Sequence, residues 1–219
     1  MYGLADMAPY LVNVLLTPLY SSILTTRDYG YIALLLLFST LAKILFRLGL
    51  DAGFFRVHYL LDTEEERRRL AGTVAVFSAA VATLLFGAVI LLRSPLTTAL
   101  LGSDAPSRSW VVLVAADVFF GTFAFVPLNL LRIQDRPGLF SAFSVGRHTL
   151  NTLLKVVFVL GGLGVTGVLW SDLLATAAFS LALFPRLSQG ARPALSRLLL
   201  KDVLAFGLPK VPHGLMVQV

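Results

Sequence analysis

The chain has 219 residues, 57% of them hydrophobic and only 14% charged, with a net charge of +6. Ordinary globular domains carry roughly a quarter charged residues, and a nucleic-acid interface gathers its basic residues on one face; here they cluster between long apolar stretches, so nucleic acid is not an expected partner. The absence of cysteine removes disulfide and thiolate chemistry, and His58, His148 and His213 lack paired metal-ligand spacing, so neither a metal nor a cofactor is expected.

Six apolar stretches of about twenty residues follow one another, at roughly 4–23, 31–50, 70–92, 110–131, 139–160 and 165–184, and a seventh begins near Val203 and runs to the chain end. A helix rises ~1.5 Å per residue, so ~20 residues cross a ~30 Å hydrocarbon core. The pattern predicts an all-α, polytopic transmembrane helix bundle. The first stretch has no cationic leader before it, which predicts a retained span rather than a cleaved signal peptide. Pro9 and Pro18 interrupt it, and Pro127 lies late in the fourth, each removing a backbone donor and favouring a bend.

The connections differ in charge. The second, fourth and sixth hold Arg56, Arg67, Arg68, Arg69, Arg132, Arg136, Arg186, Arg192, Arg197 and Lys201; the first, third and fifth hold only Arg27, Arg93 and Arg108. The positive-inside rule places the basic loops in the cytoplasm, and the N-terminus with them. Tyr20, Tyr29, Tyr31 and Trp110 then fall at the outer interface, where amphipathic rings settle. Thr63-Glu64-Glu65-Glu66 reads as a capping box whose acids meet Arg67–Arg69 at i,i+3 and i,i+4 spacing, a solvated start to the third span and the one loop with structure of its own. Gly161-Gly162-Leu163-Gly164 is a tight turn that makes the fifth and sixth spans a hairpin.

Ionisable groups inside spans cost several kcal/mol and usually face a bundle interior or a watery cavity. Lys43 and Arg47 lie one turn apart on the second span, and Arg147, Asn151 and Lys155 form an i, i+4, i+8 stripe on the fifth. Asp117 lies in the fourth span and Asp172 in the sixth. Counting rise from the span ends gives two layers. Lys43 and Arg147 share one ~10–12 Å from the basic side, and Lys155 and Asp117 share one ~8–11 Å from the opposite side, with Asp172 nearby. Two cations with no acid predicted at their level except Asp6 suit an anionic ligand, which makes Lys43, Arg47, Arg147 and Asn151 candidate substrate-binding residues; for Arg47, simple snorkelling to the interface is an equal alternative. Lys155 and Asp117, with Asp172, are either a structural ion pair or an ion-coupling site.

Ile23-Leu24-Thr25-Thr26-Arg27-Asp28-Tyr29-Gly30, the Leu48-Gly49-Leu50 stretch followed by Arg56, and Gly207-Leu208-Pro209-Lys210-Val211-Pro212 together resemble the polysaccharide flippases of the MOP (MATE-like) superfamily, with Thr26 where proline is usual and Ser22 where many relatives carry arginine. The resemblance implies two six-helix lobes facing a central cavity and a lipid-linked oligosaccharide carried from the cytoplasmic to the outer leaflet of the cell's inner membrane by alternating access. Residues 1–187 would form the first lobe, and 188–219 a cytoplasmic linker and the start of the second. A weak echo of Tyr2-Gly3-Leu4 in Phe206-Gly207-Leu208 fits such a duplication. The expected partners are the lipid-linked oligosaccharide, membrane lipid and the C-terminal lobe. A drug/cation antiporter of the same superfamily is the main alternative, although the cationic layer disfavours it. A membrane-embedded polymerase or ligase would need a larger outer loop than residues 93–109, so enzymatic activity is not expected, and no ATP-binding loop occurs.

Overall fold

A computed structural model describes residues 22–134, 137–192 and 194–211. Most of the first apolar stretch, with Pro9, Pro18 and the N-terminal half of the internal echo, lies outside these residues, as does the seventh stretch beyond Val211.

Every regular element among the described residues is helical: α1 Thr26–Arg47, α2 Leu50–Leu60, α3 Glu64–Leu91, α4 Arg93–Leu101, α5 Ser109–Ile133, α6 Pro137–Leu160, α7 Gly164–Gly190 and α8 Arg197–Gly207, then a 3₁₀ turn Leu208–Lys210. Among the described residues four segments are long and apolar enough to cross a membrane: Thr26–Leu60, Glu64–Leu91, Ser109–Ile133 and Gly164–Arg186. At 24 residues α6 spans about 36 Å and is long enough as well, but Arg147, His148, Asn151 and Lys155 lower its hydropathy. The chain, all-helical in its described residues, is thus a multi-pass membrane protein. Leu36, Leu84, Val157 and Leu181 are 60–71% exposed, as lipid-facing positions should be.

Local sequence explains the helix ends. Thr25 and Asp28 cap α1 reciprocally: the Asp28 amide donates to Thr25 Oγ1 at 3.2 Å and the Thr25 amide to Asp28 Oδ2 at 2.9 Å. This explains the Thr-Thr-Arg-Asp run of the first connection. Thr63 caps α3 through the Glu66 amide at 3.3 Å, and Glu64–Arg67 and Glu65–Arg69 form the expected helical ion pairs. The second span is not one straight helix. Leu48 (φ 47) and Gly49 (φ 70) are both left-handed, which ends α1 and starts α2 in a new direction. The third connection, read from sequence as a plain loop, holds the nine-residue α4, whose Thr97 and Thr98 hydroxyls donate to carbonyls one turn back.

Helix α5 is the central post, packing on α1, α3, α4, α6 and α7, and most extensively on α7. At one end Tyr31, Leu35, Trp110, Val111 and Leu169 form a buried cluster in which Trp110 Nε1 donates to Thr166 Oγ1 at 2.9 Å. Tyr31 and Trp110 are 6% and 4% exposed, so at this end their rings pack inside the bundle rather than on its surface. At the basic end Leu50, Phe54, Leu70, Val74, Val126 and Val203 join α2, α3, α5 and α8. There α8 lies on α2 with backbones nearly touching: a Cβ on Gly49 would strike the Gly207 carbonyl, and one on Gly53 the Val203 carbonyl. Small residues four apart permit this approach. The segment before α8 is strapped to α3. The Arg192 amide donates to the Arg68 carbonyl at 3.0 Å, Thr73 Oγ1 donates to the Ala194 carbonyl at 3.0 Å and accepts from the Ser196 amide at 3.1 Å, and Arg192 pairs with Glu65 at 3.0 Å. The acidic start of α3 therefore holds the linker as well as its own arginines.

The glycine contact makes a sharp prediction. Gly53→Ala presses a methyl onto backbone that cannot swing aside and should cost about 1–3 kcal/mol, seen as a lower melting temperature of the detergent-purified protein. Gly30→Ala, in α1 with no heavy atom within 4 Å of the new Cβ, should be neutral or stabilising by about 0.5–1 kcal/mol.

Candidate functional site

A cavity of about 370 Å³ opens between α1, α5, α6 and α7. Helical spacing builds it: Lys43, Phe46 and Arg47 project from one face of α1, Asp117, Gly121 and Leu128 from one face of α5, Ser144, Arg147 and His148 from α6, and Thr176 and Ser180 from α7. Four cations (Lys43, Arg47, Arg132, Arg147) line it against two carboxylates (Asp51, Asp117). Arg47 bridges to Asp51 at 3.6 Å with both side chains over 40% exposed, so it stands at the mouth. Its guanidinium also lies 5.8 Å from the Phe125 ring centroid, and that of Arg132 4.5 Å from Phe140.

Deeper in, Arg147 Nη1 donates to Thr176 Oγ1 at 3.0 Å. Thr176 also stands beside the Asp117 carboxylate, which is in electrostatic reach of both Lys43 and Arg147. Asp117 Oδ1 has no hydrogen-bond partner among the described residues, and neither has Nδ2 of Asn129, which is 4% exposed and lines the same cavity. Lys43 and Arg147 therefore do share one cavity, but they are not without a counter-ion: Asp117 belongs with them.

The expected Lys155–Asp117 pair is replaced by another. Lys155 Nζ lies 2.9 Å from Asp172 Oδ1, and Asn151 Nδ2 donates to the same oxygen at 2.6 Å. Depth alone could not separate the two aspartates, since each stands eight residues, about 12 Å, from the start of its helix. Chain connectivity separates them: α6 and α7 are hairpin partners that pack along their length, whereas α5 and α6 touch little. Arg147, Asn151 and Lys155 thus form an antiparallel ladder with Thr176 and Asp172, and Asn151 is engaged in that ladder rather than lining the cavity. Sequence reading also missed Arg132, taken for a loop cation, and Asn129 and Thr176, which as single neutral polar residues in apolar helices carry no distinguishing signal. Among the described residues no three His, Asp or Glu converge into a metal-ligand set.

A family model described as "Polysaccharide biosynthesis protein" matches residues 19–218. The chain belongs to this polysaccharide biosynthesis family. A search of curated proteins returned no match. Among solved structures, the fold is similar to the crystal structure of a MATE point mutant (21% identity, TM-score 0.70), covering 97% of this chain and 52% of that one. It is also similar to the outward-facing conformation of a multidrug resistance MATE family transporter of the MOP superfamily (20% identity, TM-score 0.69), covering 97% of this chain and 51% of that one. The family member described here therefore spans about half the length of the structures it matches, and its fold is that of MATE-type membrane transporters of the MOP superfamily.

The α6–α7 ladder can be tested directly. Asp172→Asn leaves Lys155 without its counter-ion inside the bilayer, and breaking a buried pair costs on the order of 3–5 kcal/mol, an upper bound for these partly exposed side chains. Membrane abundance should fall, and adding Lys155→Met should restore it. Asp117→Asn should leave abundance less affected, because Lys155 does not depend on it.

Proposed function

We propose that this protein is one lobe of a transporter that moves a lipid-linked oligosaccharide across the bilayer for polysaccharide biosynthesis. The observation that carries this reading is the excess of cations in the intramembrane cavity, with Lys43 and Arg147 converging on it from different helices. A polyprenyl pyrophosphate donor presents a compact dianion beside sugar hydroxyls while its tail stays in lipid. Lysine and arginine at cavity depth attract the former, and Asn129 and Ser144 offer hydrogen bonds to the latter. Asn151 contributes by fixing Asp172, and through it the rung on which Arg147 stands. The basic end of the bundle faces the cytoplasm, the side on which such a substrate is assembled, with the protein in the cell's inner membrane. The matched structures contain about as much chain again, which supports a second lobe as the opposite wall of the transport path and as this lobe's partner. The protein is a carrier and not an enzyme.

One observation favours a second reading. Asp117, with a carboxylate oxygen unpartnered among the described residues and two cations in electrostatic reach, also fits an antiporter of the drug/cation type in which a carboxylate exchanges a proton for cargo.

In cells dependent on the full-length transporter, Lys43→Ala and Arg147→Ala should each reduce surface polysaccharide severalfold with the protein still in the membrane. Normal export by both overturns the anionic-substrate reading, and loss of export by Asp117→Asn alone favours the antiporter. Topology is checked separately, since the chain lacks cysteine: single cysteines at Ser103 and Gly162 should label from outside intact cells and one at Asp62 should not, and reversed labelling overturns the orientation.

A further inference from the structure

A second cavity, of about 460 Å³, lies at the basic end, apart from the transport site. Four helix ends enclose it. The end of α2 supplies His58, the first turns of α3 supply Glu64, Arg67 and Arg68, and the last turns of α5 and α7 supply Gln134 and Arg186. These cations do not all play the same part. Arg67 is consumed by the fold: Nε and Nη2 donate to the Leu61 carbonyl at 3.1 and 2.9 Å and Nη1 to Glu64 at 3.0 Å. That cancels the one carboxylate in the lining and leaves a fixed wall. Arg68 and Arg186 have no ion-pair or hydrogen-bond partner for their guanidinia among the described residues, although both line the cavity. His58 adds an independent sign. It is 7% exposed, yet its Nδ1 has no partner among the described residues. A buried, unsatisfied imidazole nitrogen is costly unless something else occupies the site.

We propose that this cavity binds a phosphate-bearing group, with Arg68 and Arg186 as the charge-bearing contacts and Gln134 as a neutral donor. Two free guanidinia around a concave site of this size match the planar, multi-donor recognition that phosphates receive from arginine. A merely solvated basic surface would show neither the enclosure nor the orphaned histidine. The surroundings place the cavity at headgroup level. Tyr59 and Leu60, one and two residues beyond His58, are each 68% exposed, and Leu195 and Leu198 before and within α8 are 60% and 71% exposed. So the last turn of α2 places His58 in the cavity lining and Tyr59 and Leu60 outward, as at an interface. The phosphate can therefore belong to an anionic lipid headgroup or be free in solution. The proposal does not depend on what the transport cavity carries.

The test uses the purified, delipidated protein and native mass spectrometry with phosphatidylglycerol and phosphatidylcholine of identical acyl chains. Phosphatidylglycerol should give at least fivefold more bound lipid at equal concentration. Arg68→Gln and Arg186→Gln should each reduce that excess, and the double variant should abolish it. Arg69→Gln, whose partner is Glu65 outside the cavity, should leave it intact. Thermal unfolding with millimolar inorganic phosphate separates the sources. A shift lost in the double variant, without any lipid preference, identifies a soluble phosphate; a lipid preference that phosphate does not compete away identifies the headgroup. Equal binding of the two lipids with no phosphate shift overturns the proposal on the unmodified protein alone. An excess that survives in the double variant places the lipid elsewhere and overturns it equally.

Discussion

Asp172 Oδ1 receives both the Asn151 amide and the Lys155 ammonium, at 2.6 and 2.9 Å, and this double contact sets the register between α6 and α7. In hydrocarbon there is no water to take over either partner, so sliding the helices by one turn would strand a charge. The register in turn brings Arg147 opposite Thr176, and Thr176 opposite Asp117. The electrostatics of the intramembrane cavity thus rest on a contact one and two turns away from it. Packing by apolar side chains alone would not fix the register so firmly, because lipid tails are as apolar as the leucines they would replace.

Much of the bundle was legible in the sequence because bilayer thickness allows few solutions. Among the described residues, four of the twenty-residue apolar runs, the Gly161–Gly164 turn and the Thr63 cap each correspond to a feature of the fold. What escaped was relational. The break at Leu48–Gly49 lies where α8, from more than 150 residues away, packs against Gly49 and Gly53, and a lone glycine in an apolar run does not announce that contact. Helix α4 is short and half polar, so its residues read as loop. The aspartates could not be assigned by depth, since depth is one coordinate and pairing needs the neighbour as well. Cavity residues were legible when charged, as with Lys43 and Arg147, and illegible when neutral, as with Asn129 and Thr176. An apolar helix tolerates an occasional amide or hydroxyl that bonds its own backbone, as Thr122 does with the Val118 carbonyl and Ser171 with that of Gly167.

The two cavities divide the arginines of this chain into distinct kinds. Some are spent on the fold, as Arg67 is on the Leu61 carbonyl and Arg192 on Glu65. Some stand at the mouth of the intramembrane cavity with an aromatic ring beneath them, as Arg47 and Arg132 do. Others, Arg68 and Arg186, keep their donors free among the described residues. A count of positive charge per loop treats all of these alike, which suffices for topology and says nothing about recognition.

The strap from Arg192 to Ser196 and the backbone contact of Gly49 with Gly207 have a mechanical consequence. They weld α8 to α2 and α3 over its whole length. Rotation of anything attached beyond residue 211 relative to the bundle cannot be absorbed in this linker, as it would be in a slack polar tether. It must be taken up at or after the 3₁₀ turn Leu208–Lys210, where Pro209 already removes a backbone donor. Helix α8 therefore belongs mechanically to the bundle rather than to whatever follows it.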